Sequence, residues 1–126
     1  MQRLILASIV TLVAAAGCSG QSSEEQRAEL QMREFAECAG KLDLMSEIVS
    51  SPADQYNFVR QTSALKRMAD DAEKKLPPAG GSETRAAKII RETKASLEAK
   101  RASPPADFSE KLASDAQYCA GLSGTN

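Results

Sequence analysis

The chain has 126 residues, with 16 basic and 17 acidic side chains and no histidine. Its near-neutral charge argues against a nucleic-acid-binding protein, which carries a surplus of basic residues. The lack of histidine excludes catalytic triads built on histidine and the usual zinc sites.

The first 17 residues have the pattern of an export signal. Arg3 precedes an uncharged, mostly apolar segment, Leu4 to Ala16, which ends in small residues. The segment is shorter than the roughly 20 apolar residues of a membrane-spanning helix and matches the hydrophobic region of a cleaved signal peptide. We therefore predict a signal peptide at residues 1–17.

The sequence Ala15-Ala16-Gly17-Cys18 at the end of this segment resembles the lipobox of bacterial lipoproteins. The resemblance implies cleavage before Cys18 and acylation of that cysteine. The lipidated cysteine and the polar spacer that follows it would together make up residues 18–23. It also implies a periplasm-facing protein of the cell envelope, and Ser19 favours the outer over the inner membrane. The alternative is cleavage by ordinary signal peptidase, which would leave Cys18 as a free thiol.

After Gln21 the apolar side chains recur at every third or fourth position, the spacing of helices that bury one face. Glycine and proline residues divide this part of the chain into four runs, roughly 23–50, 53–76, 82–101 and 105–121. Ser22 and Ser51 each precede an acidic residue by three positions, which is typical of a helix start. The pattern predicts an all-α, up-down-up-down four-helix bundle over residues 24–122 and a tail at 123–126.

Cys38 and Cys119 fall on the apolar faces of the first and fourth runs. These helices would be antiparallel neighbours, so the two cysteines can meet. If Cys18 carries lipid, they are the remaining pair, and we predict a disulfide; the alternative is two buried thiols. Because this pairing places both cysteines near one end of the bundle, residues 24–34 are predicted to overhang it as a short helical stalk.

Four apolar residues flank the first turn but fall off the predicted core faces: Leu44, Ile48, Tyr56 and Val59. They would gather at the end of the bundle away from the membrane. We interpret them as a candidate partner surface, with packing under loops as the alternative. The six basic residues from Arg85 to Arg101 are spread around the third helix, which favours a solvated face over contact with lipid or an acidic partner.

Together these features predict a lipid-anchored envelope protein that is not an enzyme. It would act as a helical binding or accessory module of pilot, adaptor or inhibitor type, with a protein partner, no cofactor and no metal. Two alternatives remain open. One is a small-molecule binder, which needs a cavity between the helices, and the other is an envelope enzyme, which needs two carboxylates facing each other in a cleft.

Overall fold

The computed structural model describes residues 21–125, which form four helices. They are α1 (Ser23–Ile48), α2 (Pro52–Glu73), α3 (Arg85–Ala102) and α4 (Phe108–Ser123). Residues 21–125 contain no strand, so the predicted all-α bundle is confirmed. The predicted signal peptide and Cys18 lie outside the described residues. Ser123, which the sequence places in a tail, is the buried last residue of α4.

Three of the helices start at a hydroxyl side chain that accepts a backbone hydrogen bond. The Ser22 hydroxyl accepts from the N–H of Glu25 at 3.2 Å, and the Ser51 hydroxyl accepts from the N–H of Asp54 at 3.4 Å. Thr84 does the same at the start of α3. Each bond satisfies an N–H that the helix cannot pair internally. The two starts predicted at Ser22 and Ser51 are therefore confirmed.

Helix α1 lies at the centre of the fold and packs against each of the other three helices. It contributes to two buried clusters. The first surrounds the cysteines and contains Cys38, Ala39, Leu42, Leu65, Ala116 and Cys119. The second lies nearer the start of α1 and contains Met32, Ala36, Ala69, Ala72 and Ala86. Because these clusters use different faces of α1, this helix is buried well beyond a single stripe.

A disulfide between Cys38 and Cys119 joins α1 to α4, as predicted, with the two α-carbons 5.3 Å apart. The cysteines are separated by 81 positions in the chain. Closing a loop of this length removes conformational freedom from the unfolded chain, and the chain-entropy model gives about 4–5 kcal/mol of stabilisation. The disulfide is therefore a large part of the stability of a domain of this size.

Helix α3 approaches α1 closely at Gly40. A Cβ atom on Gly40 would lie 2.9 Å from the carbonyl oxygen of Ile90 and 2.9 Å from the Cβ of Thr93. Only glycine permits this approach without a shift of backbone. Further along the same contact, the ammonium group of Lys94 pairs with Glu47 and lies 3.5 Å from Asp43. The result is that α3 rests on α1 and makes little contact with α2.

The predicted stalk at residues 24–34 is wrong. Ala28 and Met32 are fully buried. The reason is that α2 and α3 extend past the end of α4, so that Ala69, Ala72 and Ala86 cover Met32. The start of α1 extends beyond α4 alone, and α2 and α3 pack against that part of α1.

Candidate functional site

A wide concavity, here called the α2–α3 groove, opens where α2 and α3 separate. It has a volume of about 910 Å³ and is lined by the second half of α2, the connection over residues 74–84, the first half of α3 and Asp43 of α1. Its apolar lining residues are Leu76, Pro78, Ala79, Ala87 and Ile90. Its charged lining residues are Asp43, Lys66, Asp70, Glu73, Lys74, Glu83, Arg91 and Lys94. Four acids and four bases give these walls no net charge.

Glu73 fixes the end of the groove where the chain passes from α2 to α3. Its carboxylate accepts hydrogen bonds from the N–H groups of Arg85 and Ala86, at 3.0 and 2.9 Å. The Arg85 guanidinium lies 3.7 Å from the same carboxylate, whose side chain is only 12% exposed. A negative charge at this position pairs free N–H groups and complements the positive end of the helix dipole. Glu73 therefore holds the start of α3 against the end of α2.

The groove's other acids are mostly bonded to bases of the same chain. The carboxylate of Glu83 accepts two hydrogen bonds from the Arg91 guanidinium, at 2.9 and 3.1 Å. This pairing lowers the pKa of Glu83 and raises the pKa of Arg91. Lys94 pairs with Glu47 and Asp43, and the hydrogen bond to Glu47 is the main reason that the pKa of Lys94 is raised.

The basic residues of α3 divide into two groups. Four of them are paired with acids of this chain: Arg85 with Glu73, Lys88 with Glu92, Arg91 with Glu83, and Lys94 with Asp43 and Glu47. These pairings agree with a solvated, internally neutralised face. Within residues 21–125, Lys100 and Arg101 in the last turn make no ion pair.

The predicted partner surface does not form as a single patch. Leu44 is 1% exposed, which corrects its assignment to a surface. It lies one helical turn after Gly40, on the side of α1 that α3 approaches, and the sequence pattern assigned that side to solvent. Tyr56 and Val59 are 67% and 53% exposed on α2. Ile48 is half-buried and lines a different groove.

That second concavity, here called the distal groove, lies at the end of the bundle where α1 ends and α4 begins. Its volume is about 260 Å³. It is lined by Met45, Ile48, Arg101, Pro104, Phe108, Ser109, Leu112 and Ala113. The lining joins the last turns of α1 and α3 to the first turns of α4, and Arg101 is its only charged member.

A third groove, of about 370 Å³, lies between α2 and α4. Gln61 lines it and is buried, and within residues 21–125 its amide oxygen has no hydrogen-bond partner. Sequence reasoning missed Gln61 as a buried residue. The available signal was its position one turn before Leu65, on the buried face of α2.

In residues 21–125, no group of three or more histidine, cysteine, aspartate or glutamate side chains is placed to hold a metal ion. None of α1 to α4 combines the length and the apolar character that crossing a membrane requires.

The chain matches no protein-family model, no curated protein and no solved structure. Residues 21–125 form a four-helix bundle with a central first helix, a disulfide and three open grooves.

Proposed function

We propose that this chain is a lipid-anchored protein of the bacterial cell envelope that acts as a non-catalytic binding or accessory module facing the periplasm. The lipobox-like residues Ala15 to Cys18 support the anchor. The observation that supports binding is the α2–α3 groove, which presents apolar and charged side chains between two helices that do not close over it.

The state of the groove's acids favours binding over catalysis. Glu73 caps α3, Glu83 is held by Arg91, and Asp43 lies against Lys94. Carboxylates that work in hydrolysis stand as a pair with different environments and access to the reacting bond. Here three of the four acids in the groove are already bonded to donors of the same chain, so their arrangement serves the fold.

A second candidate function is small-molecule binding in the same groove. Its volume of about 910 Å³ lies within the range of about 300–1,000 Å³ that small-molecule sites occupy. A lining of apolar side chains and balanced charges would suit a neutral or weakly charged ligand. The two candidates differ in the molecule that occupies the groove, which is a small ligand in this case and a protein segment in the other.

The anchor is tested by replacing Cys18 with alanine in cells that are fed radioactive palmitate. The wild-type chain should carry the label and sediment with membranes, whereas the C18A chain should lose both properties. If C18A remained attached to membranes, the proposed anchor would be wrong.

The groove is tested by placing a photo-crosslinking amino acid at Ala87, which lines it. The matched control is Ala95, which is also exposed on α3 but lies outside the described grooves. A discrete protein adduct from position 87 and none from 95 would support the module. A small-molecule adduct at 87 would support the second candidate. Equal labelling at both positions, or none, would contradict binding in this groove.

A further inference from the structure

The distal groove has the composition of a docking site for a peptide side chain. Six of its eight lining residues are apolar: Met45, Ile48, Pro104, Phe108, Leu112 and Ala113. They come from three separate parts of the chain, so the lining depends on the folded bundle. Its volume of about 260 Å³ is below the usual range for whole small-molecule ligands and suits side chains from another protein.

Of the six basic residues of α3, Lys100 and Arg101 make no ion pair within residues 21–125, and Arg101 is the one that lines this groove. Arg85, Lys88, Arg91 and Lys94 all have acidic partners in the same chain. Arg101 is exposed at the rim of the distal groove and, within the described residues, has no acidic partner. A guanidinium in this state favours a carboxylate, with which it forms short, paired hydrogen bonds.

We propose that the distal groove binds a segment of a protein partner in which a large apolar side chain stands next to a carboxylate. The apolar side chain packs against Ile48, Phe108 and Leu112, and the carboxylate pairs with Arg101. A few buried apolar anchors supply most of the free energy of such contacts, and the charge pair selects among competing sequences. This inference rests on the proposed function and names the partner chemistry of the binding module.

The position of the groove favours a protein over a lipid headgroup as the source of the carboxylate. The groove lies where α1 ends, whereas the proposed anchor precedes the start of α1. The 26 residues of α1 separate these two ends by about 39 Å at helical rise. A chain held at Cys18 would therefore present the distal groove away from the membrane that holds it.

The test uses a phage-displayed library of random dodecapeptides, selected on the full chain held in detergent micelles. The wild-type chain should enrich peptides in which Leu, Ile or Phe adjoins Asp or Glu. The R101E chain should lose this class and enrich peptides with Lys or Arg beside the apolar residue. The matched control is K88E, which makes the same charge change at an exposed site on α3 outside the groove.

A second pair of variants tests the apolar half. Ile48→Ser should weaken the enriched peptides by about tenfold or more, which corresponds to about 1.4 kcal/mol. Val59→Ser changes an exposed apolar residue of α2 outside the groove and should not weaken binding of these peptides. Thermal unfolding of each variant shows whether Ile48→Ser still folds, and R101E tests the inference regardless of that result.

The inference fails if the wild-type chain enriches no apolar–acidic class. It also fails if the enriched peptides bind the R101E chain and the K88E chain with equal affinity. A further contrary result would be that anionic phospholipid vesicles bind the wild-type chain and displace the enriched peptides. Failure of the inference is separable from failure of the proposed function. A protein adduct at position 87, combined with no enriched peptide class on the wild-type chain, would support the proposed binding module. The same result would contradict peptide binding at the distal groove.

Discussion

The carboxylate of Glu73 at the end of α2 accepts a hydrogen bond from the backbone N–H of Ala86 in α3, with the two atoms 2.9 Å apart. A second bond, from the N–H of Arg85, makes Glu73 a cap supplied by one helix to the next. It thereby links the connection over residues 74–84 to the helix that follows. The geometry of the α2–α3 groove depends on this link.

The first prediction concerns this cap. Glu73→Ala should lower the free energy of unfolding by about 1–2 kcal/mol, because two N–H groups and the Arg85 guanidinium lose their acceptor. Chemical denaturation measures the change. The control is Glu92→Gln, which removes an exposed ion pair with Lys88 and should change stability by no more than about 0.5 kcal/mol. Equal effects of the two variants would show that Glu73 is not a cap.

The second prediction concerns the close approach of α3 to α1. Gly40→Ala should destabilise the protein by about 1–3 kcal/mol, because the new methyl group would meet the Ile90 carbonyl and Thr93. Gly121→Ala in α4 is the control, since a Cβ there meets nothing within 4 Å. The control should gain stability, by up to about 1 kcal/mol, through helix propensity. Thermal unfolding compares the two, and a stabilised G40A would contradict the close approach.

The third prediction concerns Leu44. Leu44→Ala should lower the free energy of unfolding by about 2–5 kcal/mol, since this side chain is buried. Tyr56→Ser, at an exposed residue of α2, should change stability by no more than about 0.5 kcal/mol. Unfolding by denaturant should separate these variants clearly. A change of no more than about 0.5 kcal/mol for Leu44→Ala would contradict the burial of this side chain.

The fourth prediction concerns the disulfide. Replacing Cys38 and Cys119 together by alanine should lower the free energy of unfolding by about 2–5 kcal/mol. On a non-reducing gel, denatured wild-type protein should migrate faster than the same protein after reduction. If Cys18 is acylated, titration of the unfolded mature protein should find no free thiol. Two free thiols would contradict the bond between α1 and α4.

The fifth prediction concerns pH. The hydroxyl of Tyr118 donates a hydrogen bond to Glu34 at 3.1 Å, and this bond to a carboxylate is the main reason that the pKa of Tyr118 is raised. Ultraviolet titration in a Tyr56→Phe background should therefore show a pKa above the ordinary value of about 10, and Glu34→Gln should lower it. Because the folded-state pKa is raised, the stabilisation is complete below pH 10 or so and is lost as pH rises through the folded-state value. A pKa unaffected by Glu34→Gln would contradict the bond.

Several features were predictable because they depend on local pattern. Ser22 and Ser51 carry the chemistry of helix starts, and both serve as caps. The cysteine pairing followed from positions on core faces, and Cys38 and Cys119 are joined. On α2 a single face is buried, so the three- and four-residue spacing of its apolar residues marked that face.

What sequence reasoning missed depends on how the helices are offset in space. A helix packed against three neighbours buries more than one stripe, so Leu44, which was assigned to the surface, and Met32, which was placed in the stalk, are both buried. The stagger of α4 relative to α2 and α3, which removes the stalk, leaves no periodic signal. The grooves also left none, because each is lined by residues of several helices, whose relative placement no local pattern encodes.

The central position of α1 also has a mechanical consequence. A chain tethered through its N-terminus would transmit tension directly into α1, at Ser23, and from there into both buried clusters. Sliding α1 would disrupt the contacts of Met32 and Leu42 together, while the covalent bond from Cys38 would carry part of the force into α4. A pull on the tether would thus be shared across the bundle instead of peeling away one helix at a time.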